Sequence, residues 1–445
     1  MKSESLLADD ERFAGRMVGA QLRLPLVEPV RRSSTYYRLQ RPERLKAAKH
    51  TAIDLFSGAG GISLGLANAG FDILLASDIS EACAATHKHV MPSIPFLRAD
   101  IARLSSSDIL RSAGIKAGEL DLLIGGPPCQ GFSIIGQREH DDPRNAMVEQ
   151  FFRVAKGIKP KFIVIENVPG LATLHKGAFL RQIGAGFKRL GYQAHCAELL
   201  AAQYGVPQMR WRMFFVGVRD GINLHLPSFP TPNHGWRGIG ELVPNRTVRA
   251  EDADGFVTLA EAIGDLGPVD AGSVGDRYAS TAQSDFQRGM RVTAERKVQN
   301  HYAPKMSAAN LERFSFLKPG QDWRDLPREL LPASMQRALL KDHTRRFRRM
   351  TWNGVPRSII TRFRDPKSGE YIHPDQDRTI SIREAARIQS FPDWFAFQGA
   401  ITSQYEQVGN AVPPLLAREM AREIGLALQG RTQTANFRSR YRMYT

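Results

Sequence analysis

A cysteine on a rigid turn is the residue of this sequence best suited to covalent chemistry. Cys129 stands in the run GGPPCQGFS at 125–133, directly after a predicted strand. Its two prolines fix the backbone, and ligands bind at the carboxyl edge of a parallel sheet. Because a thiolate in such a place is a good nucleophile, we expect Cys129 to attack the substrate. Cys83 and Cys196 lack this setting and are expected to be small buried side chains.

Charged side chains also lie next to two other predicted strands, 162–165 and 213–218. Glu166 ends an apolar run, and beside a nucleophile on the neighbouring strand an acid or hydrogen-bonding role fits it better than a helix cap. Gln208, Arg210 and Arg212 alternate with period two, which places them on one face of an extended segment. Two arginines on one face near a carboxylate would bind an anion or orient that carboxylate.

A glycine-rich turn predicts a nucleotide-like cofactor. The run DLFSGAGG at 54–61 follows the first predicted strand, and its glycines would let the backbone approach a ligand. Asp78 lies 22 positions beyond Phe56, where a carboxylate binds the ribose in nucleotide-binding α/β folds. The run is not G-x-G-x-x-G, which argues against NAD. It is closer to the turn used for S-adenosylmethionine, which has no pyrophosphate.

These residues need a sheet whose strands end at a common edge. Apolar runs alternate with helical stretches, for example over 62–69 and 147–156, which implies a parallel sheet with right-handed crossovers. The expected fold is α/β, with a Rossmann-like catalytic domain. The predicted strands span 51–56, 71–76, 95–97, 121–124, 162–165 and 213–218.

Regular alternation stops after Gly221, where proline, glycine and asparagine become frequent. We therefore expect a second, smaller and largely irregular domain, followed by helices over 382–390 and 413–428. The N-terminal arm is also expected to be irregular, either as a solubilising tail or as a DNA-contacting segment. The expected divisions are a basic arm 1–48, a catalytic domain 49–225, a second domain 226–377, a return to the catalytic domain 378–430 and a basic tail 431–445.

The charge of the chain points to a polyanionic partner. Its 445 residues carry 61 Lys and Arg against 45 Asp and Glu, a net charge of +16, and such a field attracts nucleic acid. Three cysteines are typical of a reducing compartment. With no apolar run of about 18 residues, we expect a cytoplasmic, nucleoid-associated protein and no membrane. One basic block, 337–364, includes Arg345, Arg346, Arg348 and Arg349.

Six motifs resemble, in order, those of the bacterial-type DNA (cytosine-5) methyltransferases. They are DLFSGAGG at 54–61, PPCQ at 127–130, ENV at 166–168, QMRWR at 208–212, REAARIQSFP at 383–392 and GNAVPP at 409–414. Residues 226–355 match no motif. They occupy the place of the family's target-recognition region, so the residues that read the DNA sequence are expected there, with the arginines of the basic block among the candidates.

The resemblance implies chemistry on a cytosine flipped out of duplex DNA. Cys129 would add to carbon 6, and Glu166 would hydrogen-bond to the ring nitrogen and the exocyclic amine. Arg212 would bind the cytosine carbonyl, while Arg210 would orient Glu166 or stabilise charge. The base that removes the carbon 5 proton is left open, with water as one candidate.

The resemblance also implies S-adenosylmethionine as the methyl donor and no metal. Asp78 would bind the ribose hydroxyls, and Phe56 would stack on the adenine. The implied cofactor-binding residues are Phe56, Gly58, Gly60, Asp78, Ile79, Asp100, Ile101, Pro127, Met147 and Asn410.

Double-stranded DNA is the implied partner of a monomeric enzyme, and a restriction endonuclease acting on the same site could accompany it. A tRNA cytosine-5 methyltransferase is the alternative within the enzyme class, although 226–355 favours a duplex reader. A DNA-binding regulator that has lost catalysis is the alternative outside it. The intact set Cys129, Glu166, Arg210 and Arg212 argues against that regulator.

Overall fold

The computed structural model describes residues 32–42, 50–128, 146–170, 177–235, 255–292, 297–336 and 346–431. Cys129 and Arg345 lie outside these ranges. The described chain forms seven strands: β1 (His50–Leu55), β2 (Phe71–Asp78), β3 (Phe96–Arg98), β4 (Leu122–Gly125), β5 (Phe162–Asn167), β6 (Tyr192–Leu200) and β7 (Trp211–Arg219). They make one sheet in the order β3-β2-β1-β4-β5-β7-β6.

Helices cover both faces of this sheet. Side-chain caps fix several of their starts; in the last third of the chain, Ser381 and Glu384 form a reciprocal capping box. Within the described ranges, no helix is both long and apolar enough to cross a bilayer. The helices are α1 (Ser34–Tyr37), α2 (Gly61–Asn68), α3 (Glu81–Val90), α4 (Ser106–Ala113), α5 (Ala146–Ile158), α6 (Ala178–Arg189), α7 (Leu259–Ile263), α8 (Asp285–Met290), α9 (Ala308–Phe316), α10 (Ala333–Gln336), α11 (Ile382–Ile388), α12 (Ile401–Asn410) and α13 (Pro414–Leu428).

The strand directions correct the expectation of a wholly parallel sheet. The pairs among β1 to β5 are parallel, but β7 is antiparallel to both of its neighbours, β5 and β6. The reason is the short connection between β6 and β7, which turns through a 3₁₀ segment at Ala201–Tyr204. A parallel pair would need a crossover of a dozen or more residues. The sequence reading also missed β6.

Near the end of the described chain, α13 packs back on the catalytic core. Helix α13 packs on α2, and a Cβ added to Gly65 would lie 2.6 Å from the Cβ of Ala417. This separation leaves room for glycine only. The apolar faces of α2 and α13 belong to one core, while α5 and α6 bury their apolar residues against the opposite face of the sheet. The two layers together hold the strand ends in place.

After β7 the described chain is mostly irregular, as expected, with short helices α7 to α10. Residues near α7 and α8, such as Leu259 and Phe286, share the core that contains α13. A separate cluster lies farther along, around Phe314, Trp323 and Phe347. The boundaries 226–377 for a distinct domain therefore remain a prediction.

The N-terminal arm departs from the expectation of an irregular tail over its described part, 32–42. Tyr37 is buried, and its hydroxyl lies 2.7 Å from Nε2 of His234. Leu39 is also buried, and its carbonyl accepts a hydrogen bond of 3.0 Å from Nε1 of Trp394. Because aromatic and aliphatic side chains alternate here with polar ones, the segment has an apolar side that can pack on the body of the protein.

Candidate active site

A cleft of about 660 Å³ opens at the carboxyl edge of the sheet. The ends of β1, β2, β4 and β5 reach it, together with the start of β7, one side of α12 and residues 358–361. The sequence-predicted residues that line it are Phe56, Gly58, Asp78, Ile79, Asp100, Ile101, Pro127, Met147, Glu166, Arg210, Arg212 and Asn410.

The glycine-rich turn bends back on itself directly after β1. Phe56 and Gly58 both have positive φ, 56° and 54°, and a Cβ at Gly58 would meet nothing within 4 Å. The backbone there is open to a ligand. Gly60 serves a different purpose, since it does not line the cleft. It has a φ of 98°, and a Cβ there would lie 2.3 Å from Cε of Met91, so this glycine lets the turn pack on α3.

Asp78 is held rigidly at the end of β2. One carboxylate oxygen accepts a hydrogen bond of 2.9 Å from the backbone N–H of Gly58, and the other accepts one of 2.9 Å from that of Ser80. A carboxylate oxygen has two lone pairs, so both can still accept from ribose hydroxyls. Ile79 beside it is largely exposed to the cleft. This set of groups fits the ribose and adenine of S-adenosylmethionine.

A second acid behind the turn was not predicted from the sequence as a functional residue. Asp54 is fully buried in β1 and accepts a hydrogen bond of 2.6 Å from Oγ of Ser63 in α2. Its other carboxylate oxygen has no hydrogen-bond partner. Burial raises the pKa of Asp54 to about 7, against the lowering effect of the bond from Ser63.

Glu166 and Arg212 form a largely buried ion pair across β5 and β7. Nε of Arg212 lies 2.7 Å from Oε1 of Glu166, and the side chains are only 12% and 10% exposed. Burial raises the pKa of Glu166 above its usual value, although the two arginines of this site oppose the shift. The carboxyl group is thus easier to protonate than one in water.

The turn that follows β4 packs against this pair. Nδ2 of Asn167 donates to the carbonyl of Pro127 at 3.1 Å, and a Cβ at Gly126 would lie 3.0 Å from Oε2 of Glu166. The Pro-Pro turn is therefore fastened beside the acid. The next residue is Cys129, which lies outside the described residues, so its nucleophilic role remains a prediction.

Arg210 lies at the same cleft but hydrogen-bonds elsewhere. Its guanidinium donates to the carbonyls of Ile359 at 2.6 Å, Gly409 at 3.0 Å and Ala411 at 2.9 Å, rather than to Glu166. Gln208 acts in parallel, since its Oε1 accepts from the N–H of Ile359 at 3.0 Å. The side chains of Gln208 and Arg210 thus point inward. Their hydrogen bonds join the segment before β7 to Ile359 and to the end of α12.

Two of the arginines expected to read DNA have internal partners instead. Arg349 is buried, and it donates to the carbonyls of Phe314 at 2.7 Å and His373 at 2.9 Å. Arg348 pairs with Asp322 at 3.6 Å and with Glu370 at 3.2 Å. Arg349 is thus enclosed by internal partners, as a buried cation requires, and Arg348 is held in ion pairs. The location of the DNA-reading residues within 226–355 remains a prediction.

Parts of the cleft wall escaped sequence analysis. Residues 358–361 belong to none of the six motifs and lie between 226–355 and the REAARIQSFP motif, and Ser403 and Glu406 precede the GNAVPP motif on α12. A signal for the second group exists in the sequence, because Ser403, Glu406 and Asn410 recur at helical spacing. No comparable local pattern marks 358–361.

Comparison with known proteins agrees with this geometry. The family model for C-5 cytosine-specific DNA methylases matches residues 50–426. A Type II methyltransferase of Haemophilus parahaemolyticus, M1.HphI, is 36% identical over 84% of this chain and 86% of its own length. M.AgeI of Thalassovita gelatinovora, also a Type II methyltransferase, is 32% identical over 84% of this chain and 99% of its own.

A solved structure shares the architecture. It is a prophage-encoded protein (E. coli) described as a DNA modification methyltransferase, with a TM-score of 0.62 and 26% identity over 86% of this chain and all of that one. The fold and the cleft define a cofactor-dependent methyltransferase of the α/β class. The chain belongs to the C-5 cytosine-specific DNA methylase family and is a DNA (cytosine-5) methyltransferase.

Proposed function

We propose that the protein methylates one cytosine, flipped out of a specific duplex DNA sequence, with S-adenosylmethionine as donor. The observation that carries this proposal is the buried Glu166–Arg212 pair beside the Pro127-Pro128 turn. It opens onto the same cleft as the glycine turn and Asp78. One cleft thus offers two ends. The glycine turn and Asp78 form the cofactor end, and Glu166 and Arg212 form the base end, where the cytosine would bind.

The chemistry assigned to the base end starts at Cys129. Its thiolate adds to carbon 6 of the cytosine, while the carboxyl group of Glu166 gives a proton to the ring nitrogen, so that the pair of electrons needed for methylation collects at carbon 5. The bound cofactor supplies the electrophilic methyl group. A base then removes the carbon 5 proton, the bond to Cys129 breaks, and the ring nitrogen returns its proton.

The two arginines have different tasks in this proposal. Arg212 orients Glu166 through its 2.7 Å contact and offers its remaining N–H groups to the cytosine carbonyl. Arg210 is assigned as a positioning residue, since its hydrogen bonds hold the cleft wall.

The test of the nucleophile is a pair of cysteine variants. Cys129→Ser is expected to abolish methyl transfer and to keep most DNA binding, because serine is a far weaker nucleophile at neutral pH. Cys83→Ser, which alters another thiol at the cleft, is the control and is expected to remain active.

A trapping experiment tests the same assignment on the wild-type protein. DNA carrying 5-fluorocytosine should become covalently bonded to Cys129, as detected by mass spectrometry. Near wild-type turnover of Cys129→Ser would refute the assignment.

Duplex DNA is proposed to meet the protein beside residues 358–361. Arg362, Arg364 and Lys367 follow this part of the cleft wall and are exposed. In the described structure none of the three forms an ion pair, unlike Arg348 and Arg349. Exposed cations without carboxylate partners, next in the chain to a cleft wall, are suited to phosphate contacts.

The matched test changes Arg362 or Lys367 to Ala. Loss of one phosphate contact is expected to lower affinity for all DNA sequences and to reduce the slope of log affinity against log salt by about one. Lys116→Ala, at an exposed lysine before β4 and away from the cleft, is the control. An unchanged salt slope in both cleft variants would reject this interface.

We also propose that the protein protects its host DNA from a restriction endonuclease that cuts the same sequence. Support comes from the relatives, which are Type II methyltransferases. DNA methylated by the protein should resist a restriction enzyme of matching specificity, and bisulfite sequencing should locate the modified cytosine.

Exchange of 226–355 for the corresponding segment of a relative that methylates another DNA sequence should transfer that relative's specificity. An active chimera with the original specificity would disprove the location of the readers.

A further inference from the structure

One side of α12 forms part of the cleft. Ser403, Glu406 and Asn410 stand at i, i+3 and i+7, which puts them on the same side of a helix, and all three line the cleft. The neighbouring Gln407 is buried and accepts a hydrogen bond of 2.6 Å from Oγ1 of Thr86 in α3. This bond fixes α12 against the helix that follows Asp78 in the chain.

Glu406 brings an exposed carboxylate to this wall. Within the described ranges it has no hydrogen-bond or ion-pair partner, whereas both oxygens of Asp78 already accept backbone N–H groups. The two acids lie around the same cleft-lining thiol, Cys83. Burial, and after it the charges of Asp78 and Glu406, raise the pKa of Cys83 to about 12. The two carboxylates therefore flank one part of the cleft from two elements, β2 and α12.

We propose that Glu406 is a specificity-determining residue that favours S-adenosylmethionine, whose sulfur is positively charged, over its product S-adenosylhomocysteine, whose sulfur is neutral. The inference rests on the proposed cofactor. A carboxylate attracts a sulfonium cation, and transfer of the methyl group removes that charge from sulfur. The attraction thus exists for the donor and disappears with the product, so Glu406 favours exchange of spent product for fresh donor.

The test is calorimetric titration of the full chain with each of the two ligands, without DNA. Since Glu406 is exposed, Glu406→Gln is expected to weaken binding of S-adenosylmethionine by about two- to fivefold, and to leave binding of S-adenosylhomocysteine unchanged. The loss should shrink as salt rises, because salt screens exposed charges. Glu406→Asp should retain part of the discrimination. Glu312→Gln, at an exposed acid of α9 outside the cleft, is the control and should change neither affinity.

Two results would overturn the inference. Equal weakening of both ligands would mean that Glu406 acts through shape or packing, and unchanged affinity for both would mean that it does not act on the cofactor. Either result would leave the proposed function standing. Wild-type protein that binds neither ligand would instead remove the proposed cofactor, and the binding of the wild-type chain is measured first for that reason.

Discussion

At the scale of single residues, burial supplies the acid that the proposed chemistry needs. Glu166 lies between β4 and β7 with little exposure, and burial raises its pKa even beside Arg212. A protonated carboxyl group can then donate to the ring nitrogen of cytosine. Because the protonated form of Glu166 is the active one, the rate of methyl transfer by the wild-type protein should decline as pH rises above the pKa of Glu166.

Glu166→Gln tests this role. Glutamine keeps a hydrogen-bond donor but has no proton to transfer, so single-turnover methyl transfer is expected to fall by about 10²- to 10⁴-fold. Affinity for S-adenosylmethionine should stay near the wild-type value. Glu149→Gln, on α5 and paired with Arg189 away from the cleft, serves as the control. A variant with nearly full single-turnover rate would show that Glu166 does not act as the acid.

The burial of Asp54 leads to a second prediction, which concerns how the stability of the protein depends on pH. Its ordinary pKa of 3.8 applies in the unfolded chain, and burial raises it to about 7 in the folded protein. Between these values the unfolded state loses its proton first, so the free energy of unfolding decreases as pH rises, by about 4 kcal/mol in total. Asp54→Asn cannot ionise and should flatten this dependence.

The measurement is urea denaturation of wild type and Asp54→Asn at several pH values between about 4 and 8. As pH rises, the free energy of unfolding of wild type should fall relative to that of Asp54→Asn. Equal slopes for the two proteins would show that the pKa of Asp54 is the same in the folded and unfolded chain, and would contradict the raised pKa.

At the scale of elements, one arginine joins separate segments. Arg210 precedes β7 and bonds to carbonyls of Ile359, Gly409 and Ala411. Lysine cannot reach three carbonyls with a planar fork, so Arg210→Lys should lower the free energy of unfolding by about 2–4 kcal/mol. Arg219→Lys, at the other end of β7, where the side chain bonds to the Lys159 carbonyl, is the control.

Denaturation of both variants is the measurement, with cofactor titration as a second readout. Arg210→Lys should also weaken cofactor binding, because Gly409 and Ala411 flank the cleft residue Asn410. If Arg210→Lys and Arg219→Lys lost the same small amount of stability, the joining role of Arg210 would be refuted.

Most of the sheet could be predicted at this scale, and the failures have physical causes. Strands β1, β2, β4 and β5 are short apolar runs bounded by turn residues, which is a local signal. The edge strand β6 places polar or charged residues among its buried positions and has no continuous apolar run. The direction of β7 depends on how the chain returns through 201–210, which no local period encodes.

At the scale of the whole molecule, residues 32–42 of the N-terminal arm are part of the packed body. Tyr37 and Leu39 are buried against residues distant in sequence, including His234 and Trp394. Removal of residues 1–42 should therefore destabilise the protein by about 3–5 kcal/mol, as expected for the loss of large buried side chains.

Thermal unfolding of two shortened chains measures this effect. A chain that begins at Arg32 keeps every arm contact described above and is the control. The chain without 1–42 should melt at a clearly lower temperature than this control. If the two melted together, the packing of 32–42 would contribute nothing to stability.

The sequence by itself determined the α/β alternation, the glycine turn and the place of Glu166 and Arg212 at the edge of the sheet. Strand and helix periods are local. The motif residues Glu166 and Arg212 lie at the end of β5 and at the start of β7, and these meet at one edge of the sheet because β7 is antiparallel to β5. The sequence also placed Asp78 correctly at that edge. Strand and helix periods and motif positions depend on spacing along the chain, which the sequence itself gives.

Only the tertiary structure decided which charged side chains face the cleft and which are used internally. Arg210 and Arg349 look like free cations in the sequence, yet both are buried among carbonyls from distant segments. Glu406 lines the cleft because Gln407 pairs with Thr86 of another helix. The environment of a charge depends on groups far away in the chain, and these come together only when it folds.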